Sequence, residues 1–389
     1  MSERRRQALF RIVSVAVGCG VGLGLLEGFG AVALRLGGDR APELPAALAD
    51  QVLESGRTPP MLPDPYLSYR PQPGGHTPNA HVNRWGLRGR ETGERPEPGV
   101  FRILLLGGSV AWGYSALRDE DTVAAELERY LSSHRERSPV LRDRTIEVLN
   151  GGVPGYVAWQ GALAYSLRHR KLQPRLIVAL DGANEYAAAV NTGVAGVPLR
   201  FHPDVHSDSP RPTLLGAVGG WAHYRLERLQ LAKYVERARR PSLAERSPPS
   251  AQEVADRYGE ALDYLADITS LEHAVLVPVL QPLAILPGTK PLSAFEQQLV
   301  DHHDRLVPGI NAAFGESYAA NRRMYADLAA RRPEVLPLDA TRAFADEPEI
   351  TYVDHCHLTP RGRRLLAAAI GDWILERLDH RPRGIQARR

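Results

Sequence analysis

A short apolar run that ends in two glycines and a serine constrains the fold more than any other stretch of this chain. The four aliphatic residues Ile103–Leu106 are too few for a helix, and a continuous run of this length fits a parallel strand buried on both faces. Gly107 and Gly108 then permit a tight exit from the strand. Ligands of open parallel sheets bind beyond the carboxyl ends of the strands. Ser109 is therefore predicted at a ligand-facing position.

Strand patterns alternate with helical patterns along the chain from Phe101 onward. The predicted strands span residues 101–106, 145–149, 176–180, 274–280 and 335–338. The predicted helices span residues 121–134, 158–170, 294–331 and 360–378. Pro278 is unfavourable within the fourth strand because proline has no N–H group to donate. The alternation predicts an α/β fold in which a mostly parallel sheet lies between layers of helices.

The N-terminal region carries a candidate membrane segment. Residues 12–34 are almost all apolar or glycine, with Glu27 as the single charge, and about 20 such residues can cross a bilayer as a helix. Four arginines precede this run, namely Arg4, Arg5, Arg6 and Arg11. Because positive charge favours the cytoplasmic side, residues 1–11 are predicted in the cytoplasm. The pattern thus predicts a single-pass signal anchor, a transmembrane helix that leaves the main domain on the extracytoplasmic side.

Two other interpretations of this apolar run remain open. The small residues Ala31–Ala33 resemble the cleavage site of a secretory signal peptide, which would be removed rather than retained. Lipidation at Cys19 is the third interpretation, although the preceding Ala16-Val-Gly matches a lipidation site poorly.

The remaining segments differ in composition, which predicts the domain organisation. Residues 35–99 are rich in Pro, Gly and Arg and are predicted to form a stalk and an extended lead-in. Within them, residues 82–91 are either an ordered arm packed on the domain or an ordinary loop. The main domain is predicted at residues 100–380, with an insertion at 190–252 that forms a lid or substrate wall. A tail follows at residues 381–389.

Charge and cysteine content exclude several classes of function. The net charge is only +3, and no basic face interleaved with aromatic residues indicates a nucleic-acid partner. Cys19 and Cys356 are the two cysteines, and they form neither a disulfide framework nor a CxxC metal motif. The cysteines therefore indicate no metal site.

Residues that follow successive strands form a candidate constellation for ester cleavage. Ser109 follows the first strand, and Gly155 and Asn184 follow the second and third. Near the carboxyl terminus, Asp354 precedes two histidines, His355 and His357, just before the last helix. Each of these residues also has an ordinary structural interpretation, such as helix capping by Asn184. Their joint position at successive strand ends favours the catalytic interpretation.

The chemistry of ester cleavage needs these residue types. A serine hydroxyl becomes nucleophilic when a histidine takes its proton, and a carboxylate such as Asp354 holds that histidine in the required tautomer. The backbone amides of Ser109 and Gly155 and the side-chain amide of Asn184 are candidate donors to the oxyanion. From spacing alone, either His355 or His357 can be the base.

Taken together, these motifs resemble the SGNH hydrolase superfamily, the GDSL-like lipases and esterases, over about residues 100–380. The four matching blocks are Gly107-Gly-Ser-Val110, Asn150-Gly-Gly-Val-Pro-Gly155, Gly182-Ala-Asn-Glu185 and Asp354-His-Cys-His357. The resemblance implies Ser109 as nucleophile, Gly155 and Asn184 as oxyanion donors, and His357 rather than His355 as the base. Two positions depart from the family pattern, because Gly108 and Glu185 stand where aspartate is usual.

The resemblance also implies a fold and a function. The implied fold is a three-layer α/β sandwich, of the SGNH or flavodoxin-like kind, with a sheet of about five strands. The implied function is a serine esterase that hydrolyses acyl or acetyl esters of a small molecule or a glycan and requires neither a metal nor a cofactor. Two alternatives are kept: an O-acyltransferase that acts on an envelope polysaccharide through the same residues, and a non-catalytic binding or assembly protein.

Overall fold

The computed structural model describes residues 27, 42, 45, 46, 48, 59–198 and 243–380. The strands of this part are β1 (Met61–Asp64), β2 (Ser68–Pro71), β3 (His76–Thr77), β4 (Ala80–His81), β5 (Val100–Gly107), β6 (Thr145–Gly152), β7 (Leu176–Asp181), β8 (Val275–Leu280) and β9 (Leu338–Asp339). Its α-helices are α1 (Ser109–Trp112), α2 (Val123–His134), α3 (Ala158–Ala164), α4 (Ala183–Thr192), α5 (Leu243–Arg246), α6 (Ala251–Leu271), α7 (Ala294–Leu306), α8 (Ile310–Arg331) and α9 (Pro360–Arg377).

The central sheet has five parallel strands in the order β6-β5-β7-β8-β9. Successive side chains of a strand point to opposite faces. Along β5, Ile103 and Leu105 pack with α2 and α9, whereas Leu104 and Leu106 pack with α3, α6 and α8. All four aliphatic side chains are buried. The fold is therefore an α/β sandwich with a helix layer on each face, and β5 lies within the sheet, as its uninterrupted apolar run predicts.

Pro278 explains why the fifth strand is shorter than the sequence predicts. It pairs with Ala179 of β7, but it has no N–H to donate on the opposite side. There, the Leu336 amide donates to the Leu276 carbonyl over 3.0 Å, and the Leu336 carbonyl accepts from the Trp373 indole over 3.1 Å. The ladder consequently consists of Leu338–Asp339 rather than residues 335–338.

Two predicted helical boundaries also differ from the observed ones. The long helix predicted at 294–331 is divided into α7 and α8, because Pro308 follows α7 and Gly309 adopts a left-handed conformation with φ of 86°. The insertion predicted at 190–252 overlaps the end of α4. The sequence pattern left α6 unassigned, although Ser250 caps it by accepting a hydrogen bond from the Glu253 amide over 3.2 Å.

The segment at 59–99 packs on the central domain. It contains two antiparallel pairs, β1–β2 and β3–β4. Leu67 and Tyr69 are buried against Val153 and Tyr156 of the loop after β6. Over these described residues the lead-in is thus ordered structure beside the candidate site.

None of the helices within the described residues has the length and hydropathy needed to cross a bilayer. The apolar run predicted as a membrane span, residues 12–34, lies outside the described residues except for Glu27. Residues 199–242 of the predicted insertion, which include most of its length, lie outside them as well.

Candidate active site

The serine at the end of β5 begins a one-turn helix. Gly107 has a φ of 140°, and a Cβ there would lie 2.1 Å from the carbonyl oxygen of Leu180, so only glycine fits this position. The chain turns sharply, and Ser109 is the first residue of α1. Its amide therefore lacks an intrahelical acceptor, as do all amides in the first turn of a helix.

Three predicted residues meet in one chain of hydrogen bonds. Nε2 of His357 lies 2.8 Å from Oγ of Ser109, and Nδ1 of His357 lies 2.6 Å from Oδ2 of Asp354. The other carboxylate oxygen, Oδ1, accepts the backbone amides of Cys356 and His357 over 2.8 and 2.7 Å. The loop thus fixes its own carboxylate, and the carboxylate orients the imidazole toward the hydroxyl.

The charged forms of His357 and Asp354 stabilise each other. Burial opposes protonation of His357, but the adjacent Asp354 carboxylate, together with the sulfur of Cys356, outweighs it and raises the pKa of His357 well above its usual 6.5. Although burial likewise opposes ionisation of Asp354, the facing imidazole lowers the pKa of that carboxyl. Asp354 is therefore charged throughout the neutral range, and it can stabilise the imidazolium formed when Ser109 loses its proton.

The second histidine of the loop occupies a different position. His355 stacks on His303 with ring centroids 4.3 Å apart, and its Nδ1 lies 3.9 Å from Oδ1 of Asp354. By contrast, the ring of Tyr114 packs on His357 at 4.5 Å. Of the two histidines that sequence spacing left open, the structure brings His357 to Ser109.

The two other predicted residues are Gly155 and Asn184, and of these Asn184 lies beside the turn of Ser109. Gly155 has a φ of 80°, and a Cβ there would lie 2.6 Å from the hydroxyl of Tyr69. Nδ2 of Asn184 donates to the carbonyl of Tyr156 over 2.8 Å, which holds the amide beside the loop that contains Gly155. A Cβ at Gly108 would lie 2.3 Å from that Nδ2. This departure from the family pattern therefore has a physical reason, since a side chain at position 108 would displace Asn184.

Glu185 is the second position that departs from the SGNH pattern, and its side chain connects the starts of two helices. Its carboxylate accepts the backbone amides of Ala158 and Gly182, each over 2.8 Å. The side chain is buried, and burial raises its pKa. Glu185 thereby fixes the first turn of α4, on which Asn184 stands.

Among the described residues, one group of side chains is close enough together to hold a metal ion. It consists of Asp354, Cys356 and His357, whose ligand atoms lie within 4.8 Å of one another. Nδ1 of His357 already bonds to Asp354. A metal here would displace the hydrogen bond that orients the imidazole, so the donor set fits proton transfer better than metal binding.

Two buried arginines that support the site were not identified from the sequence. Nη1 of Arg363 donates to Oγ of Ser115 over 2.9 Å and to the carbonyl of Leu358 over 2.7 Å, which joins the turn after Ser109 to the loop of His357. These residues are far apart in the chain, so no local pattern indicates their contact. Arg88 is the second such group, and it lies in the segment at 82–91, which the sequence predicts as either an ordered arm or an ordinary loop.

The described domain is an α/β sandwich in which Ser109, Asn184 and His357, from three of the four sequence blocks, lie close to one another, and in this it resembles the SGNH-type hydrolases. No family model matches the chain, and no curated protein matches it. Solved structures do match, and an acetyl xylan esterase aligns with 12% identity, 70% coverage of this chain, 98% coverage of its own chain and a TM-score of 0.41.

Two further solved structures carry GDSL descriptions. A putative lipolytic protein of the G-D-S-L family from Desulfitobacterium hafniense has 10% identity, covers 70% of this chain and 99% of its own, and has a TM-score of 0.37. A putative GDSL-like lipase from Parabacteroides merdae has 13% identity, coverages of 70% and 93%, and a TM-score of 0.39.

Proposed function

We propose that this protein is a serine hydrolase that cleaves carboxylic esters. The observation that carries the proposal is the hydrogen-bonded series from Ser109 through His357 to Asp354, with contacts of 2.8 and 2.6 Å. A hydroxyl, an imidazole and a fixed carboxylate in this order are the groups needed to activate a serine nucleophile.

In the first half of the reaction, Oγ of Ser109 attacks the ester carbonyl as Nε2 of His357 takes its proton. The carbonyl oxygen becomes an oxyanion, and the Ser109 amide, the Gly155 amide and Nδ2 of Asn184 are the proposed donors to it. Collapse of the tetrahedral intermediate breaks the bond to the alcohol oxygen. His357 then returns the proton to that oxygen, so the alcohol leaves and an acyl-Ser109 remains.

In the second half, water repeats the attack on the acyl carbonyl. His357 takes a proton from the water and gives it to Oγ of Ser109 as the carboxylic acid is released, which restores the starting state. Asp354 stays ionised throughout. The proposed substrate is an ester of a small molecule or a glycan. An acceptor sugar hydroxyl in place of water would make the same site an O-acyltransferase.

The test compares alanine variants on p-nitrophenyl acetate and measures labelling by a fluorophosphonate. We expect Ser109→Ala to abolish labelling and to lower kcat by about 10⁴-fold or more. The matched control is Ser133→Ala, because Oγ of Ser133 bonds only to local groups on α2. Activity that persists in Ser109→Ala contradicts the proposal.

A second pair of variants tests the base. His357→Ala is expected to lose activity on the scale of Ser109→Ala, whereas His355→Ala is expected to retain most of it, because the ring of His355 stacks on His303 instead. The reverse ranking contradicts the assignment. Addition of acceptor glycans separates the alternatives: acyl transfer that outruns hydrolysis identifies an acyltransferase, and a wild type that is neither labelled nor active identifies a binding protein.

We also propose that the domain is extracytoplasmic and is attached by a signal anchor at residues 12–34. The arginines before this run and its length support the proposal. Protease added to intact cells is expected to digest a tag at the carboxyl terminus, as it does after permeabilisation. Protection of the tag in intact cells contradicts the orientation.

A further inference from the structure

The segment of residues 79–91, which we call the Arg88 segment, contacts the turn after β5 from outside the central sheet. That turn comprises residues 109–113, and we call it the serine turn. Oδ1 of Asn83 accepts the backbone amides of Trp85 and Leu87 over 2.9 and 3.1 Å, which forms a tight turn. Arg88 follows this turn, and its amide donates to the carbonyl of Asn150 in β6 over 2.9 Å. The segment is thereby fixed against the edge strand next to β5.

The guanidinium of Arg88 reaches beneath the one-turn helix of the serine. Its Nη1 donates to the carbonyls of Trp112 and Gly113 over 3.1 and 2.9 Å. Its Nη2 donates to the carbonyl of Asn79 over 2.6 Å, and its Nε pairs with Asp119 over 2.8 Å. The side chain is only 2% exposed. A buried guanidinium with this many fixed acceptors holds one geometry.

The carbonyls that it binds belong to the end of α1. The last carbonyls of a helix lack intrahelical partners and carry partial negative charge, which a cation stabilises. The helix is one turn long, from Ser109 to Trp112, so a shift of its last carbonyls shifts its first residue. Asn150 contributes a second bond to the carbonyl of Trp112, over 3.2 Å from Nδ2.

We propose that Arg88 is a positioning residue for the serine: it fixes the end of α1 and so holds Oγ of Ser109 in line with His357. The kinetic part of this inference rests on the proposed function. The structural part of the inference is the rigidity of the serine turn, and it does not depend on the proposed function. The Arg88 segment is accordingly part of the site's architecture, although it lies outside the four motifs that carry the family resemblance.

The chain offers a matched control in a second buried arginine. Arg102 is also 2% exposed and also pairs with a carboxylate, Glu147, over 2.6 Å. It donates to the carbonyl of Leu172 over 2.7 Å and to Oγ1 of Thr92 over 3.0 Å. It lies on β5, near the end of the strand opposite Ser109. Substitution of either arginine removes a comparable set of buried contacts, but only one set touches the serine turn.

The experiment compares Arg88→Gln, Arg88→Lys and Arg102→Gln in the full chain. Fluorophosphonate labelling and ester hydrolysis are measured per folded molecule, at a temperature well below each unfolding transition. A displacement of about 1 Å can lower a rate by about 10²-fold, so we expect a fall of that size in kcat, with KM little changed, for Arg88→Gln. Arg88→Lys is expected to lie between it and wild type, and Arg102→Gln to match wild type.

Hydrogen exchange supplies a readout that is independent of catalysis. The amides of Gly113 and Tyr114 donate to the carbonyl of Ser109, so exchange in residues 109–116 reports the turn. We expect this peptide to exchange about tenfold faster in Arg88→Gln, relative to residues 275–280, and to be unchanged in Arg102→Gln. Equal effects of the two glutamine variants on exchange overturn the inference. A wild type that is never labelled overturns the proposed function instead, while exchange still decides the role of Arg88.

Discussion

Replacement of Gly108 by alanine tests the proposed oxyanion hole through a single methyl group. Gly108 has a φ of −84° and a ψ of −147°, which lies outside the main α and β regions of L-residues, so alanine also adds backbone strain, and urea denaturation measures that cost separately from kcat. The new Cβ would lie 2.3 Å from Nδ2 of Asn184. Since ordinary contact begins near 3.4 Å, the amide must move away by about 1 Å.

The magnitude follows from the loss of one oxyanion donor. Removal of such a donor costs about 2.7–4 kcal/mol of transition-state stabilisation, or about 10²–10³-fold in kcat. We expect Gly108→Ala to lower kcat for p-nitrophenyl acetate by this factor, with a smaller change in KM. Asn184→Ala removes the same donor directly and is expected to have a similar effect.

The double variant and a control complete this test. If both substitutions act through Asn184, Gly108→Ala combined with Asn184→Ala is no slower than Asn184→Ala alone. The control is Gly315→Ala in α8, where a Cβ meets no atom within 4 Å. It is expected to leave kcat unchanged and to stabilise the fold by about 0.5–1 kcal/mol. Full activity of Gly108→Ala, or losses that add in the double variant, would refute the reasoning.

Two further predictions concern pH and stability. Because the neutral imidazole is the base and Asp354 raises the pKa of His357, kcat/KM is expected to increase with pH with a midpoint above 6.5. Asp354→Asn lowers both that midpoint and the maximal rate, and an unchanged midpoint in the pH profile contradicts the assignment. Glu296 is fully buried, pairs with Lys290 over 2.7 Å and accepts the Thr351 amide over 2.9 Å. Glu296→Ala leaves the buried lysine unpaired and is expected to cost about 3–5 kcal/mol by urea denaturation, so a loss below about 1 kcal/mol would show that the pair is not needed.

Local sequence patterns predicted the main elements because burial leaves a periodic trace. The run Ile103–Leu106 indicates a strand covered on both faces, and β5 is such a strand. Its end was predictable too, since Gly107 and Gly108 permit a turn that other residues cannot adopt. The boundaries were less predictable where one residue acts through a distant partner. The start of β9 depends on Pro278 in the neighbouring strand and on the indole of Trp373.

The sequence of this protein determined by itself which segments form the strands of the parallel sheet, and therefore which residues follow them at one edge of that sheet. It could not choose between His355 and His357 by spacing, because both follow Asp354 closely enough to reach a serine. Tertiary structure made that choice by placing His355 against His303 and His357 against Ser109. It also brought Arg88 under the serine turn. Such contacts join residues that are distant in the chain, so their energies depend on packing rather than on any local pattern.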